Sequence, residues 1–289
     1  MNPRNIRTSA GRIALEALTI TLGEGADAFT AVRDVNAVIE PGEFVCILGP
    51  SGCGKSTLLS ALAGHVAAAE GRALLDGERI DRPHPERGMV FQQHTLLPWR
   101  KTLDNVAFGL KMQGIGRRER HRRAQALLER VGLGAFAHSY PAQLSGGMQQ
   151  RAEIARAMLN EPRILLMDEP FGALDAQTRA MMQALLLDVW SERRPTVVFV
   201  THDIDEALFL ADRILVMSQS PGTVLEELRV PFARPRERSE TRDLVTEPAF
   251  VALKRRCLAL LRHRHAVTPA TLRDAPASID ITHTAQTAS

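Results

Sequence analysis

The chain has 289 residues, 45% hydrophobic and 24% charged, with 36 Lys and Arg against 33 Asp and Glu for a net charge of +3. That length supports one large core with appendages, and a charge so nearly balanced argues against a nucleic-acid partner. No apolar stretch is long enough to span a bilayer and no secretory leader opens the chain, so the expectation is a protein that stays in the cytosol, peripheral to any membrane it serves.

Met1 to Arg12 is polar and reads as frayed, and Ile13–Leu22 and Ala31–Ile39 read as strands around a polar turn. The apolar run Phe44-Val45-Cys46-Ile47-Leu48 then leads directly into Gly49-Pro50-Ser51-Gly52-Cys53-Gly54-Lys55-Ser56-Thr57, and Lys55 to Ala63 is rich in helix formers. Strand, glycine-rich loop and helix in this order make a phosphate cradle. Glycines let backbone N–H groups wrap the phosphates, Lys55 sets a charge against the β and γ phosphates, and the Ser56 hydroxyl holds Mg²⁺. The helix N-terminus adds unpaired amides and a favourable dipole. The chain is therefore expected to bind a nucleotide.

Gly71–Ile80 reads as a hairpin around Asp76-Gly77, and Arg87–Gln92 as a short strand. Thr102–Val131 turns helical, with interruptions at Gly114 and Gly116, and carries the basic block Arg117-Arg118-Glu119-Arg120-His121-Arg122-Arg123, read as a solvated helix face, with contact to an anionic lipid or a partner as the other reading. Strands return at Ile164–Met167, Thr196–Val200, Arg213–Met217 and Thr223–Leu225 with helices between them, a pattern that implies a parallel sheet covered on both faces. A last helix is expected at Pro248–Arg262, followed by a disordered tail, His265–Ser289, without apolar periodicity. The three cysteines, Cys46, Cys53 and Cys257, lack metal-ligand spacing and suit a reducing compartment.

Ile164-Leu165-Leu166-Met167-Asp168-Glu169 is an apolar run ending in two carboxylates, which places both at the carboxyl end of a buried strand beside the phosphate loop. There Asp168 is suited to the hydration shell of Mg²⁺, and Glu169 to orienting an attacking water.

Leu144-Ser145-Gly146-Gly147-Met148-Gln149-Gln150-Arg151 starts with a natural helix cap, Ser145, and continues as an apolar stripe through Met148, Ala152, Ala155 and Leu159. This octet resembles the signature motif of the ATP-binding cassette (ABC) superfamily, and further motifs occur in the family's order. Gln92 after Val90-Phe91 resembles its glutamine loop, Gly172-Ala173-Leu174-Asp175 its D-loop, and His202 in Val200-Thr201-His202-Asp203 its switch histidine. Met148 stands where glutamine is commoner.

The resemblance, over residues 13–230, implies an α/β ABC-type P-loop ATPase with a mostly parallel core sheet, an antiparallel β subdomain and a helical signature subdomain. It divides the chain into a flexible start (1–12), the ATPase domain (13–235, helical insertion about 93–160), an extension with a helix (236–264) and the tail (265–289). It implies two chains sandwiching two ATP molecules, each held by one chain's phosphate loop, Gly49 to Thr57, and the other's Ser145, Gly146 and Gly147. Glu169, His202 and Gln92 would be the catalytic set, Ser56, Gln92 and Asp168 the Mg²⁺ set, and Asp175 a coupling residue at the nucleotide.

Arg87-Gly88-Met89-Val90-Phe91-Gln92, Leu96-Leu97-Pro98-Trp99, Asn105 to Leu110 and Ser220-Pro221-Gly222 look like the ATPase subunits of bacterial importers for taurine, sulfonates and nitrate. That implies a peripheral homodimer on the cytoplasmic face of the inner membrane. Integral membrane permease subunits would dock near Leu96–Phe108, through Leu96, Leu97, Trp99 and Phe108, and a solute-binding protein would act indirectly. Internal packing is the competing reading for each of these apolar side chains. The cassette of a different importer, of an exporter or of a lipid-handling complex, and a soluble ABC ATPase of DNA repair or translation, remain as alternatives. One aromatic is missing: Leu22 stands where the family stacks adenine on a ring, and Phe29 is the nearest ring in sequence.

Overall fold

The computed structural model describes residues 11–232 and 245–262. The frayed start expected over residues 1–10, residues 233–244 and the tail from His265 onward lie outside the described residues. Gly11 and Arg12, grouped above with the frayed start, are held: Thr196 Oγ1 donates to the Gly11 carbonyl (2.8 Å), and Arg12 N–H donates to Asp76 Oδ1 (3.0 Å).

In chain order the strands are β1 (Ile13–Leu22), β2 (Phe29–Ile39), β3 (Phe44–Leu48), β4 (Glu70–Leu75), β5 (Glu78–Arg79), β6 (Arg87–Val90), β7 (Ile164–Asp168), β8 (Thr196–Thr201), β9 (Arg213–Met217) and β10 (Val224–Arg229). The helices are α1 (Lys55–Ala63), α2 (Thr102–Val106), α3 (Phe108–Met112), α4 (Arg117–Arg130), α5 (Gly146–Leu159), α6 (Ala176–Arg193), α7 (Ile204–Leu210) and α8 (Pro248–Arg262). β2 begins two residues before the expected start, with Phe29 paired to Leu22. β10 runs on to Arg229, past the Leu225 boundary read from sequence.

The core sheet has the order β10-β9-β3-β8-β7-β6, parallel throughout except for β10 on β9. Every residue of β3 is buried, and its side chains alternate between two cores. Phe44, Cys46 and Leu48 face a core shared with α6, α7 and α8, while Val45 and Ile47 face one shared with α1 and the antiparallel sheet β2-β1-β4-β5. Burial on both faces is why β3 reads as an unbroken apolar run instead of an alternating one. In the first core Phe44 packs edge-on to Trp190, with ring centroids 5.7 Å apart. α8 closes that core with the buried Phe250 and Cys257, and is tied down by Lys254 to Asp205 (2.7 Å) and Arg256 to Glu226 (2.5 Å). Burial pushes the Cys257 thiol up to about 11, so it packs as an inert apolar group.

α2 to α5 form a separate helical arm around a third core that includes Leu103, Val106, Leu110, Leu128 and Ala152. The break at Gly114, whose φ is +79°, falls where the sequence placed it, and a second break at Ala107 separates α2 from α3. α4 buries Ala124 and Leu128 and leaves Arg117, Arg118, Arg122 and Arg123 in solvent, where Glu119 bonds both Arg122 and Arg123. Among the described residues no helix is long and apolar enough to cross a membrane.

Candidate active site

The loop between β3 and α1 closes on itself. Lys55 is buried, and its Nζ donates to the carbonyls of Gly49 and Pro50, both at 2.9 Å. Gly54, the N-cap of α1, has φ +93°, and a Cβ there would lie 2.5 Å from the Ala31 carbonyl oxygen, so conformation and space both require glycine. The first intrahelical bond of α1 runs from Leu58 N–H to the Gly54 carbonyl (2.8 Å), which leaves the amides of Lys55, Ser56 and Thr57 without an acceptor inside the helix. Ser51, Gly52 and Ser56 face solvent beside them. Cys53 is buried behind the loop, and burial pushes its thiol above the ordinary value against the opposing pull of Lys55. A concavity of backbone donors with one buried ammonium is an anion site.

The two carboxylates reach this loop by a route the sequence did not disclose. β8 intervenes between β3 and β7, so Asp168 and Glu169 are not on the neighbouring strand. α1 bridges the gap by packing over β7 and β8 as it leaves the loop. Ser56 Oγ donates to Asp168 Oδ1 at 2.9 Å, and Lys55 Nζ lies 3.8 Å from Glu169 Oε1. Burial pushes the Asp168 carboxyl up, opposed by the Ser56 hydrogen bond. Glu169 adopts a left-handed backbone (φ +41°), a conformation that costs a non-glycine residue about 1–2 kcal/mol and is commonest at functional positions. It turns the side chain toward His202, whose Nδ1 is 2.9 Å from Glu169 Oε2. His202 follows the last residue of β8 and is exposed. Gln92 is exposed two residues beyond β6, which pairs with β7, and among the described residues no hydrogen bond joins it to Ser56 or Asp168.

Ser145 caps α5, with Met148 N–H reaching its Oγ at 3.4 Å. Ser145, Gly146 and Gly147 line a pocket of about 340 Å³ with Leu174 and Asp175, apart from their own chain's phosphate loop. Asp175 is the N-cap of α6, and the hydrogen bonds from Thr178, joined by Gln177 N–H, hold its carboxyl below the ordinary value. Ala152, Ala155 and Leu159 are buried in the arm, with Met148 packed against them.

The Leu96–Phe108 segment divides. Leu96 is buried in the arm's core, contrary to a place in a docking groove, because the chain must anchor there on leaving the sheet. Trp99 is 71% exposed, and Phe108 lies beneath the Arg100 guanidinium, 5.2 Å from its ring centre. Sequence reasoning missed Asn105, which is buried, accepts from Leu97 N–H (2.7 Å) and donates to the carbonyls of Leu97 and Arg100. It holds the loop that presents Trp99. A lone Asn within a helical pattern carries no sequence signal for such a role.

Amides, ammonium, paired hydroxyl and carboxylate, and a strand-end glutamate beside histidine all converge at the carboxyl edge of a parallel sheet. This defines the class: an α/β nucleotide hydrolase of the P-loop type. The sequence profile of the ABC transporter family matches residues 32–172. The chain is 50% identical over 219 residues to the taurine import ATP-binding protein TauB of Rhizobium johnstonii, covering 75% of this chain and 84% of that one. It is 46% identical over 241 residues to the nitrate import ATP-binding protein NrtD of Synechococcus elongatus, covering 82% and 87%. A dimeric ATP-binding cassette solved in a post-hydrolysis state with ADP and phosphate superposes with a TM-score of 0.68 at 36% identity, over 76% of this chain and all of that one. This chain belongs to the ABC transporter family and is an ATP-hydrolysing cassette.

Proposed function

We propose that the chain is the ATPase of an importer for a small sulfonate such as taurine, or for nitrate, working as a homodimer under two membrane subunits. The likeness to the taurine and nitrate import proteins supports the solute class. The observation that carries the hydrolytic role is Glu169, lying between Lys55 and His202 one residue after the carboxylate bonded to Ser56.

The loop amides and Lys55 bind the triphosphate. Ser56 Oγ and Asp168 Oδ1 are hard oxygen donors suited to Mg²⁺, which supplies charge neutralisation on the phosphates and lowers the cost of burying Asp168. Gln92, exposed just beyond β6, would add a side-chain oxygen to that donor set. Glu169 orients the attacking water and takes its proton, and His202 steadies the γ phosphate. Ser145, Gly146 and Gly147 present helix N-terminal amides to the nucleotide of the partner chain, and Asp175 links the two sites. Copurifying the chain with its membrane subunits and measuring ATP-driven uptake of taurine, other sulfonates and nitrate tests the whole reading. Uptake of none of them, or substrate export, overturns the solute class.

Base recognition falls to Phe29. It is exposed, pairs with Leu22 across β1 and β2, and lies two residues from Ala31, whose carbonyl abuts Gly54 of the phosphate loop. Leu22 is half-buried and packed against the underlying core. Stacking a base contributes about 1–3 kcal/mol, so Phe29→Ala is expected to weaken ATP binding by roughly 5–150-fold, with little change for Leu22→Tyr. Titration of both variants decides it: unchanged affinity in Phe29→Ala removes the assignment.

Trp99 anchors the membrane subunit. Aromatic anchors at interfaces contribute about 2 kcal/mol or more, so Trp99→Ala should lower transport sharply while the isolated subunit hydrolyses ATP at the parent rate. Equal loss in the isolated subunit would place Trp99 in an internal role instead.

A further inference from the structure

Glu153 is a carboxylate that the reaction does not use, on the buried face of α5, and only 2% of it is exposed. A buried charge without partners is costly, so its partners indicate its purpose. Glu153 Oε1 accepts from the Thr95 backbone N–H and from Thr95 Oγ1 (3.1 Å), and its Oε2 is 3.4 Å from His94 Nδ1. One turn on, Arg156 donates from Nη1 to the Thr95 carbonyl (2.8 Å) and from Nη2 to Thr95 Oγ1. Arg156 and Glu153 are themselves 3.9 Å apart. The pair thus grips the N–H, the carbonyl and the hydroxyl of a single residue. The other end of the His94 ring reaches the start of α5, with Nε2 3.8 Å from where a Cβ on Gly146 would stand.

Thr95 lies three residues after Gln92 and immediately before Leu96, and α5 begins at the signature glycines. We propose that Glu153 and Arg156 are positioning residues that bind the segment after Gln92 to the signature helix, so that the chain from His94 onward and the amides of Ser145–Gly147 move as one body and draw the adjoining Gln92 with them. The joint between core and arm is then confined to the exposed residues Phe91–Gln93. A displacement at the loop bearing Trp99 reaches both nucleotide-facing elements at once. This rests on the nucleotide site proposed above.

The test uses the full chain and its Glu169→Gln form. Glu153→Ala, Glu153→Gln and Thr95→Val are compared for binding of a fluorescent ATP analogue to the monomer, for kcat and KM, and for the ATP concentration that dimerises each variant in the Glu169→Gln background. The phosphate loop is untouched, so analogue affinity is expected to stay at the parent value. Because misplacing catalytic geometry by an ångström costs up to about a hundredfold, kcat should fall about tenfold in Glu153→Ala, and dimerisation should need about ten times more ATP. The two milder variants should shift dimerisation in the same direction with an unchanged melting temperature. If Glu153→Ala fails to fold, those two decide the matter. Parent-like dimerisation in both, or a loss of kcat that only tracks a lowered melting temperature, overturns the proposal. Failure of the nucleotide-site reading looks different: the parent chain would not bind the analogue, or the Glu169→Gln form would not dimerise.

Discussion

Glu169→Gln is expected to bind MgATP with parent affinity and to hydrolyse it about 10²–10³-fold more slowly, the size of effect seen when one preorganised electrostatic group is removed from a transition state. The amide keeps the shape of the side chain and its contact toward His202, 2.9 Å away, while losing the charge that orients water and receives its proton. Binding persists because the loop amides, Lys55 and the hydroxyl of Ser56 are untouched. With ATP bound and not consumed, the closed dimer accumulates. Size-exclusion chromatography with and without ATP, paired with phosphate release, checks both halves. Parent-rate turnover in a chain that stays monomeric sinks the assignment of Glu169.

Lys55→Ala is expected to fail one step earlier. Its ammonium is buried and bonded to the Gly49 and Pro50 carbonyls, so the substitution removes both the charge that faces the phosphates and the brace that shapes the loop. Hydrogen bonds to charged groups contribute about 1.5–3 kcal/mol, which corresponds to a loss of affinity of roughly 10–150-fold. The contrast with Glu169→Gln is diagnostic, since one variant binds at parent affinity with slowed turnover and the other binds weakly. Equilibrium titration separates them, and parent affinity in Lys55→Ala would refute its role in holding phosphate.

How much of this was legible depends on how local each cause is. The run Phe44–Leu48, the glycine loop and the helix Lys55–Ala63 could be read with their boundaries, because a strand buried on both faces and a loop needing positive φ each constrain their own residues. The Asp76-Gly77 turn and the cap at Ser145 were legible for the same reason. The antiparallel sheet was not separable from the parallel one by pattern, since a strand's partners are not written in its own alternation. The resemblance to the ABC family supplied it.

By itself, then, the sequence determined the family, the phosphate loop and the order of the elements, because each is carried by residues within a few positions of one another and by backbone conformations that particular residue types require. Only the tertiary structure decided that β8 separates the phosphate-loop strand from the acidic strand while α1 brings Ser56 within 2.9 Å of Asp168. It alone placed Leu96 in a core and Trp99 in solvent, set Phe29 opposite Leu22, and closed the grip of Glu153 and Arg156 on Thr95. These last partners are about 60 positions apart, and nothing local to either end specifies such a contact until chain packing removes water from both.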